Sequence, residues 1–111
     1  LHADDISSAI ITVMDKGKLG ETYNCGPLWS TEIRYLVELV AKMYGKELED
    51  IADVAPERTG QDSQYLLNSA KIKALGWKPT IDLQTGLRRV KAWVEKYPEL
   101  LDMDQGYAHR P

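Results

Sequence analysis

The chain is short of the residue sets that most enzymes and metal proteins use. It has a single cysteine, Cys25, and two distant histidines, His2 and His109. A disulfide framework is therefore excluded, and no ligand set for a zinc site is present. The lone thiol fits a reducing, cytoplasmic setting, and neither histidine is placed by sequence to activate it, so Cys25 reads as a packed thiol. No apolar run is long enough to span a membrane, which leaves no membrane partner to expect. Basic residues are dispersed and outnumbered, 14 against 17 acidic, for a net charge of -3. Nucleic acid is thus not an expected partner. There is no G-x-G-x-x-G or P-loop pattern, no H-E-x-x-H and no G-x-S-x-G. No repeat and no low-complexity tract is visible. An initiator methionine and a signal-peptide profile are also missing at Leu1, where a helical pattern begins at once; this reads as a cut in a longer chain.

What remains is ordinary globular material. At 111 residues, 43% hydrophobic and 28% charged, the chain is the size of one domain. Ile6, Ala9, Ile10, Val13 and Met14 recur at helical spacing behind Asp4 and Asp5, either of which can cap a first turn, and Gly17 can end it. His2, just before this helix, packs or caps. Ser30 or Thr31 offers the N-cap of a second helix, with Ile33, Leu36, Val37, Val40 and Tyr44 on one face up to Gly45. Asn68 or Ser69 starts a short third helix that Gly76 closes. Asp82 caps a fourth, with Leu83, Leu87, Val90, Val94 and Tyr97 along one side before Pro98.

Three segments between these helices read as short strands: 21–25, rich in β-branched and aromatic residues, then 51–55, and 64–67. Residues 48–55 also fit a helical turn, but Pro56 favours an extended approach to the loop that follows. The expected fold is α/β, a small mixed, helix-rich domain of about four helices and two or three short strands. Such brief strands leave backbone groups unpaired, which points to a sheet outside the chain. Trp77 and Trp93 read as packing residues, whereas Trp29 lies in a loop. Residues 101–111 show no apolar period and read as a tail.

The densest polar chemistry lies in "APERTGQDSQY", residues 55–65. Arg58 presents a planar fork of donors that matches phosphate oxygens. Gly60 lets the backbone turn closely around a ligand, and Asp62 can accept from a ribose diol. The same spacing also fits a surface turn with a local ion pair among Glu57, Arg58 and Asp62, worth at most about 1 kcal/mol. Asn24, at the end of the first expected strand, has an amide able to donate to a phosphate or sugar oxygen, but its spacing alone favours a turn asparagine.

In order along the chain, these landmarks resemble one family, the extended short-chain dehydrogenase/reductases that act on nucleotide-activated sugars (NAD-dependent epimerase/dehydratase). Leu1-His-Ala-Asp-Asp5 resembles the family's "hydrophobic-His/Val-x-Asp-Asp" helix start, and Gly20-Glu-Thr-Tyr-Asn-Cys-Gly26 its "GExYNIGG" segment. Glu57-Arg-Thr-Gly-Gln-Asp62 with Tyr65 resembles "DRPGHDxRY". Ser69 to Pro79 is similar to "xxKIxxxLGWxP", and Leu83 to Trp93 to "sLeeGLrxtvxW". The resemblance covers about Leu1 to Tyr97 and is nearest to the dTDP-glucose 4,6-dehydratase branch. Thr59 stands where the family has proline, Gln61 where dehydratases have histidine, Gln64 where arginine is frequent, and Pro27 where a second glycine often follows.

The resemblance implies that residues 1–100 are the carboxyl-terminal, nucleotide-sugar-binding domain of a larger Rossmann-type enzyme, with 101–111 as its tail. On this reading the NAD-binding Rossmann domain is absent from the chain and is its expected partner, and the parent is a homodimer. NAD or NADP serves the parent, and this chain alone binds neither. None of its tyrosines has a lysine four residues later, so the family's Y-x-x-x-K pair is missing and the chain alone is expected to be inactive. By motif, Arg58 contacts the nucleotide diphosphate, Asp62 or Gln61 faces the ribose, Asn24 contacts the nucleotide, and Tyr65 supports the loop. The parent is then a lyase or isomerase that dehydrates or epimerises a nucleotide sugar by transient oxidation at C4. A second expectation, from a different class, is a freestanding, non-catalytic binding or interaction module.

Overall fold

The computed structural model describes residues 1–56, 59–60 and 64–101. Four α-helices follow one another: α1 (Ala3–Lys16), α2 (Ile33–Met43), α3 (Ala70–Lys73) and α4 (Leu83–Lys96), with 3-10 turns at Leu48–Asp50 and Pro98–Leu100. All four helices expected from the sequence are present, and so are most of their stop signals. Gly17 is the C-cap of α1. Gly45 and Gly76 follow α2 and α3 with φ of 66° and 94°, the left-handed region where a side chain would be strained.

The start signals differ in detail. Neither Asp4 nor Asp5 caps α1; the Asp4 amide donates to His2 Nδ1 at 3.1 Å. Glu32 precedes α2 without a side-chain cap bond, so neither Ser30 nor Thr31 fills that role. Asn68 Oδ1 accepts from the Ala70 amide, and Asp82 Oδ1 from the Thr85 amide, each at 2.9 Å. Asp82 is thus the expected cap of α4, whereas the N-cap of α3 is Ser69, without a side-chain cap bond of its own.

The expected strands are not observed: among the described residues, none belongs to a strand. Residues 21–27 and 64–69 lie outside regular structure, and Leu48–Asp50 winds as a 3-10 turn that Ile51 ends. The β-branched and aromatic residues give these segments strand character, but propensity for a pleated surface becomes a strand only where a neighbouring ladder exists. Segment 21–26 does keep the two-residue alternation. Tyr23 and Cys25 pack inward on the core, while Glu21, Thr22 and Asn24 are exposed.

The core is small. Ala9 of α1, Ile72 of α3 and Trp77 are buried together, with Val13, Tyr23 and Cys25 packed against them. Polar bonds reinforce this contact. Trp77 Nε1 donates to the Asp5 carbonyl at 3.2 Å and to Ser8 Oγ at 3.0 Å. Asp5 is 1% exposed, and its carboxylate accepts from the Thr80 amide, the Thr80 hydroxyl and the Ile81 amide. Burial of the carboxyl, the largest single influence, pushes its pKa up, yet the Thr80 and Ile81 hydrogen bonds and the nearby His2 together hold it below the ordinary 3.8. Asp5 thus ties α1 to the connection between α3 and α4. Arg89 of α4 reaches back to Asp4 at 3.0 Å.

Much of the apolar periodicity stays uncovered. Ile10 and Met14 of α1, Ile33 of α2 and Val90 and Trp93 of α4 are all exposed. Trp93, expected to be packed, is half-exposed, and its ring meets that of Tyr97 with centroids 5.7 Å apart. The Cα radius of gyration, 17.6 Å, exceeds the roughly 13 Å of a compact chain of this length. Among the described residues, these apolar positions of α1, α2 and α4 are left without full cover.

Candidate functional site

Of the residues singled out for ligand binding, Asn24 lies within the described residues; Arg58, Gln61 and Asp62 lie outside them. The site is therefore built from Asn24 and from what holds residues 64–69, the described stretch that follows the other three in sequence.

Asn24 is exposed on a segment anchored on both sides. On one side, Lys71 of α3 donates to the Thr22 carbonyl at 2.9 Å and to Glu21 Oε2 at 2.5 Å. That hydrogen bond, and then the ammonium charge, hold the Glu21 carboxyl below its ordinary 4.5. The same ammonium lies 4.7 Å over the Tyr23 ring, and the Tyr23 hydroxyl accepts from the Lys18 amide. On the other side, the Gly26 amide donates to Ser69 Oγ at 2.9 Å, and the Ser69 hydroxyl faces the Gly26 carbonyl at 3.4 Å. Ser69 is 3% exposed and Gly26 is buried. A Cβ on Gly26 would stand 3.1 Å from Leu67 Cβ, so glycine is what allows this close approach.

A second contact joins the same two stretches. Gln64 Nε2 donates to Ser30 Oγ at 2.8 Å. Residues 24–30 are thereby held against 64–69, the stretch that follows residues 57–63 in sequence. Thr59 and Gly60 form an exposed turn, and Gly60 has φ of 79° with no atom of the described residues within 4 Å of where a Cβ would stand. Tyr65 and Trp29, each beside one partner of the Gln64–Ser30 bond, are 80% and 70% exposed. Sequence reasoning missed the anchoring residues Ser69, Lys71 and Ser30. The glycine of the "YNCG" segment was the one available signal that another part of the backbone approaches closely.

Two open grooves lie elsewhere on the surface. One, of about 260 Å³, runs between α2 and α4 and is lined by Leu39, Lys42, Met43, Gln84, Leu87 and Arg88. The other, of about 350 Å³, is bounded by His2, Ala3, Arg89, Val90 and Trp93. Neither includes Asn24. Among the described residues no group of histidine, cysteine and acidic side chains is placed to hold a metal. No helix among them is long and apolar enough to cross a membrane.

Comparison with known proteins finds relatives along most of the chain. The chain is 35% identical over 104 residues to dTDP-glucose 4,6-dehydratase 1 of Escherichia coli (strain K12), which covers 84% of the chain and 28% of that relative. It is 32% identical over 101 residues to dTDP-D-glucose 4,6-dehydratase of Mus musculus, covering 86% of the chain and 28% of the relative. Over most of its length the chain is similar to the dTDP-glucose 4,6-dehydratase branch. This is the branch of the extended short-chain dehydrogenase/reductases that its motifs indicate, matched in the carboxyl-terminal part. A further relative is the trifunctional UDP-glucose 4,6-dehydratase/UDP-4-keto-6-deoxy-D-glucose 3,5-epimerase/UDP-4-keto-L-rhamnose-reductase of Arabidopsis thaliana, 28% identical over 99 residues, 89% of the chain and 15% of the relative. The chain thus spans between 15% and 28% of the length of these relatives. No family model matches it.

Proposed function

We propose that the chain is the nucleotide-sugar-binding part of a cytoplasmic, NAD(P)-dependent sugar-nucleotide 4,6-dehydratase or epimerase that works through transient oxidation at sugar C4. The observation that carries this reading is the relationship to nucleotide-sugar 4,6-dehydratases over 84–89% of the chain. Its physical support is the pair of contacts, Gly26–Ser69 and Ser30–Gln64, that fasten the Asn24 segment to residues 64–69, which follow Arg58 closely in sequence.

In this reading the guanidinium of Arg58 grips the diphosphate, Asp62 or Gln61 meets the ribose, and the Asn24 amide donates to a phosphate or sugar oxygen. The diphosphate is remote from the reacting carbon. Holding it fixes the sugar's orientation, an entropic contribution that can be large. These residues bind and orient; the proton and hydride chemistry belongs to the rest of the enzyme, and dehydration and epimerisation are equally compatible with the groups present.

The described residues do not offer the usual cradle for a nicotinamide cofactor. The glycines with positive φ, Gly20, Gly45, Gly60 and Gly76, sit in turns or after helices, and the described α-helices start behind His2, Glu32, Ser69 and Asp82. A dinucleotide pyrophosphate is usually cradled by a glycine-rich turn opening a helix, which is not found among them. The cofactor is accordingly assigned to a Rossmann domain outside the chain.

The test is calorimetric titration of the complete enzyme with dTDP-glucose. Arg58→Ala is expected to weaken binding with little change in melting temperature. Unchanged affinity would remove Arg58 from the site.

A further inference from the structure

Segment 21–26 keeps a strand's alternation, and among the described residues no sheet fixes its register. Its geometry therefore depends on side chains from elsewhere, and these can be named. Tyr23 and Cys25 point inward to the core; Lys71 grips the Glu21 and Thr22 end; Ser69 grips the Gly26 end. Asn24 hangs between the two grips with its side chain exposed.

The grips differ in character. Lys71 is about half-exposed, and water can replace its bonds. Ser69 is buried, and its hydroxyl is within reach of both the amide and the carbonyl of one residue, Gly26, from 43 positions away. A buried amide that loses its acceptor has no water to turn to, so the backbone must move to find another partner. Asn24 precedes Gly26 by two residues, and any such movement carries it along.

We propose that Ser69 is a positioning residue for nucleotide-sugar binding: it fixes the Gly26 peptide and thereby aims the Asn24 amide. This inference rests on the functional reading above. It assigns Ser69 no contact with the ligand.

The experiment is a double-mutant cycle on the complete enzyme, with Ser69→Ala, Asn24→Ala and the pair titrated with dTDP-glucose, alongside amide hydrogen exchange at Gly26. Ser69→Ala is expected to speed exchange at Gly26 and weaken binding about tenfold, the scale of one lost hydrogen bond. In the Asn24→Ala background the same change is expected to weaken binding little further, because the group it aims is already gone. Wild-type affinity in Ser69→Ala, or an undiminished loss in the Asn24→Ala background, would overturn the inference while leaving the functional reading intact. Should Ser69→Ala fail to fold, Gly26→Ala decides, since its Cβ crowds the same contact from the other side. Weakened binding there supports the positioning role, and unchanged affinity overturns it. Failure of the wild-type enzyme to bind either dTDP-glucose or UDP-glucose would instead overturn the functional reading, and this inference with it.

Discussion

Asp5 Oδ1 accepts two hydrogen bonds from Thr80, one from its amide and one from its hydroxyl, each at 2.9 Å across 75 positions of sequence. With Oδ2 taking the Ile81 amide at 3.1 Å, a single carboxylate satisfies the backbone just ahead of α4. Removing it leaves these donors without their acceptor in a part-buried setting. Asp5→Ala is expected to destabilise the fold by about 2–4 kcal/mol, read as a lowered denaturant midpoint.

The same residue gives a pH prediction with a defined sign. Its folded-state pKa lies below 3.8, the ordinary value that applies to the unfolded chain. The carboxylate's contribution is therefore fully present above about pH 4 and is lost as pH falls through the lower folded value. Stability measured by denaturant titration should decline on the acid side of pH 4. In Asp5→Ala that part of the decline should be absent; an identical acid slope in both proteins would show that Asp5 does not set it.

Trp77 and Trp93 carry the same indole but occupy different surroundings. Trp77 is 5% exposed, packs on Ile72 and Ala9, and donates to Asp5 and Ser8. Trp77→Ala is expected to cost about 3–5 kcal/mol, and Trp77→Phe, which keeps the ring bulk but not the donor, about 1–3 kcal/mol. Trp93 is half-exposed against Tyr97, so Trp93→Ala should cost no more than about 1.5 kcal/mol. Urea denaturation of the three variants ranks them directly.

That contrast shows which features were legible in the sequence. Helices were readable because their signals are local: Asp82 three residues before Thr85, and a glycine after Tyr44 or Leu75. Which helix face is covered was not, since Trp93 and Ile10 sit on regular apolar stripes whose cover depends on other surfaces. The strands failed for a related reason. Residues 21–25 have the right side chains and even the alternation, yet pairing is a property of neighbours that the described chain does not supply. At the site, motif order pointed to Asn24 and Arg58, but the contacts of Ser69 and Gln64 span 43 and 34 positions and carry no spacing rule.

The glycines offer a last test, because two of them are required for different physical reasons. Gly20 adopts φ of 79° with open space around a would-be Cβ, so Gly20→Ala meets only backbone strain, about 1–2 kcal/mol. Gly26 has no positive φ but no room either, with Leu67 Cβ at 3.1 Å and Ser69 Oγ at 3.5 Å from the added carbon. Its alanine variant must push residues 24–26 away from 67–69, at a cost of about 1–3 kcal/mol typical of overpacking. The two variants are thus expected to lie close in stability yet differ in ligand response. Gly26→Ala should weaken dTDP-glucose binding in the complete enzyme, whereas Gly20→Ala, at the far end of the segment beyond the Lys71 grip, should leave it unchanged. Equal affinities for both variants would mean that the approach of residues 24–26 to 67–69 serves the fold alone.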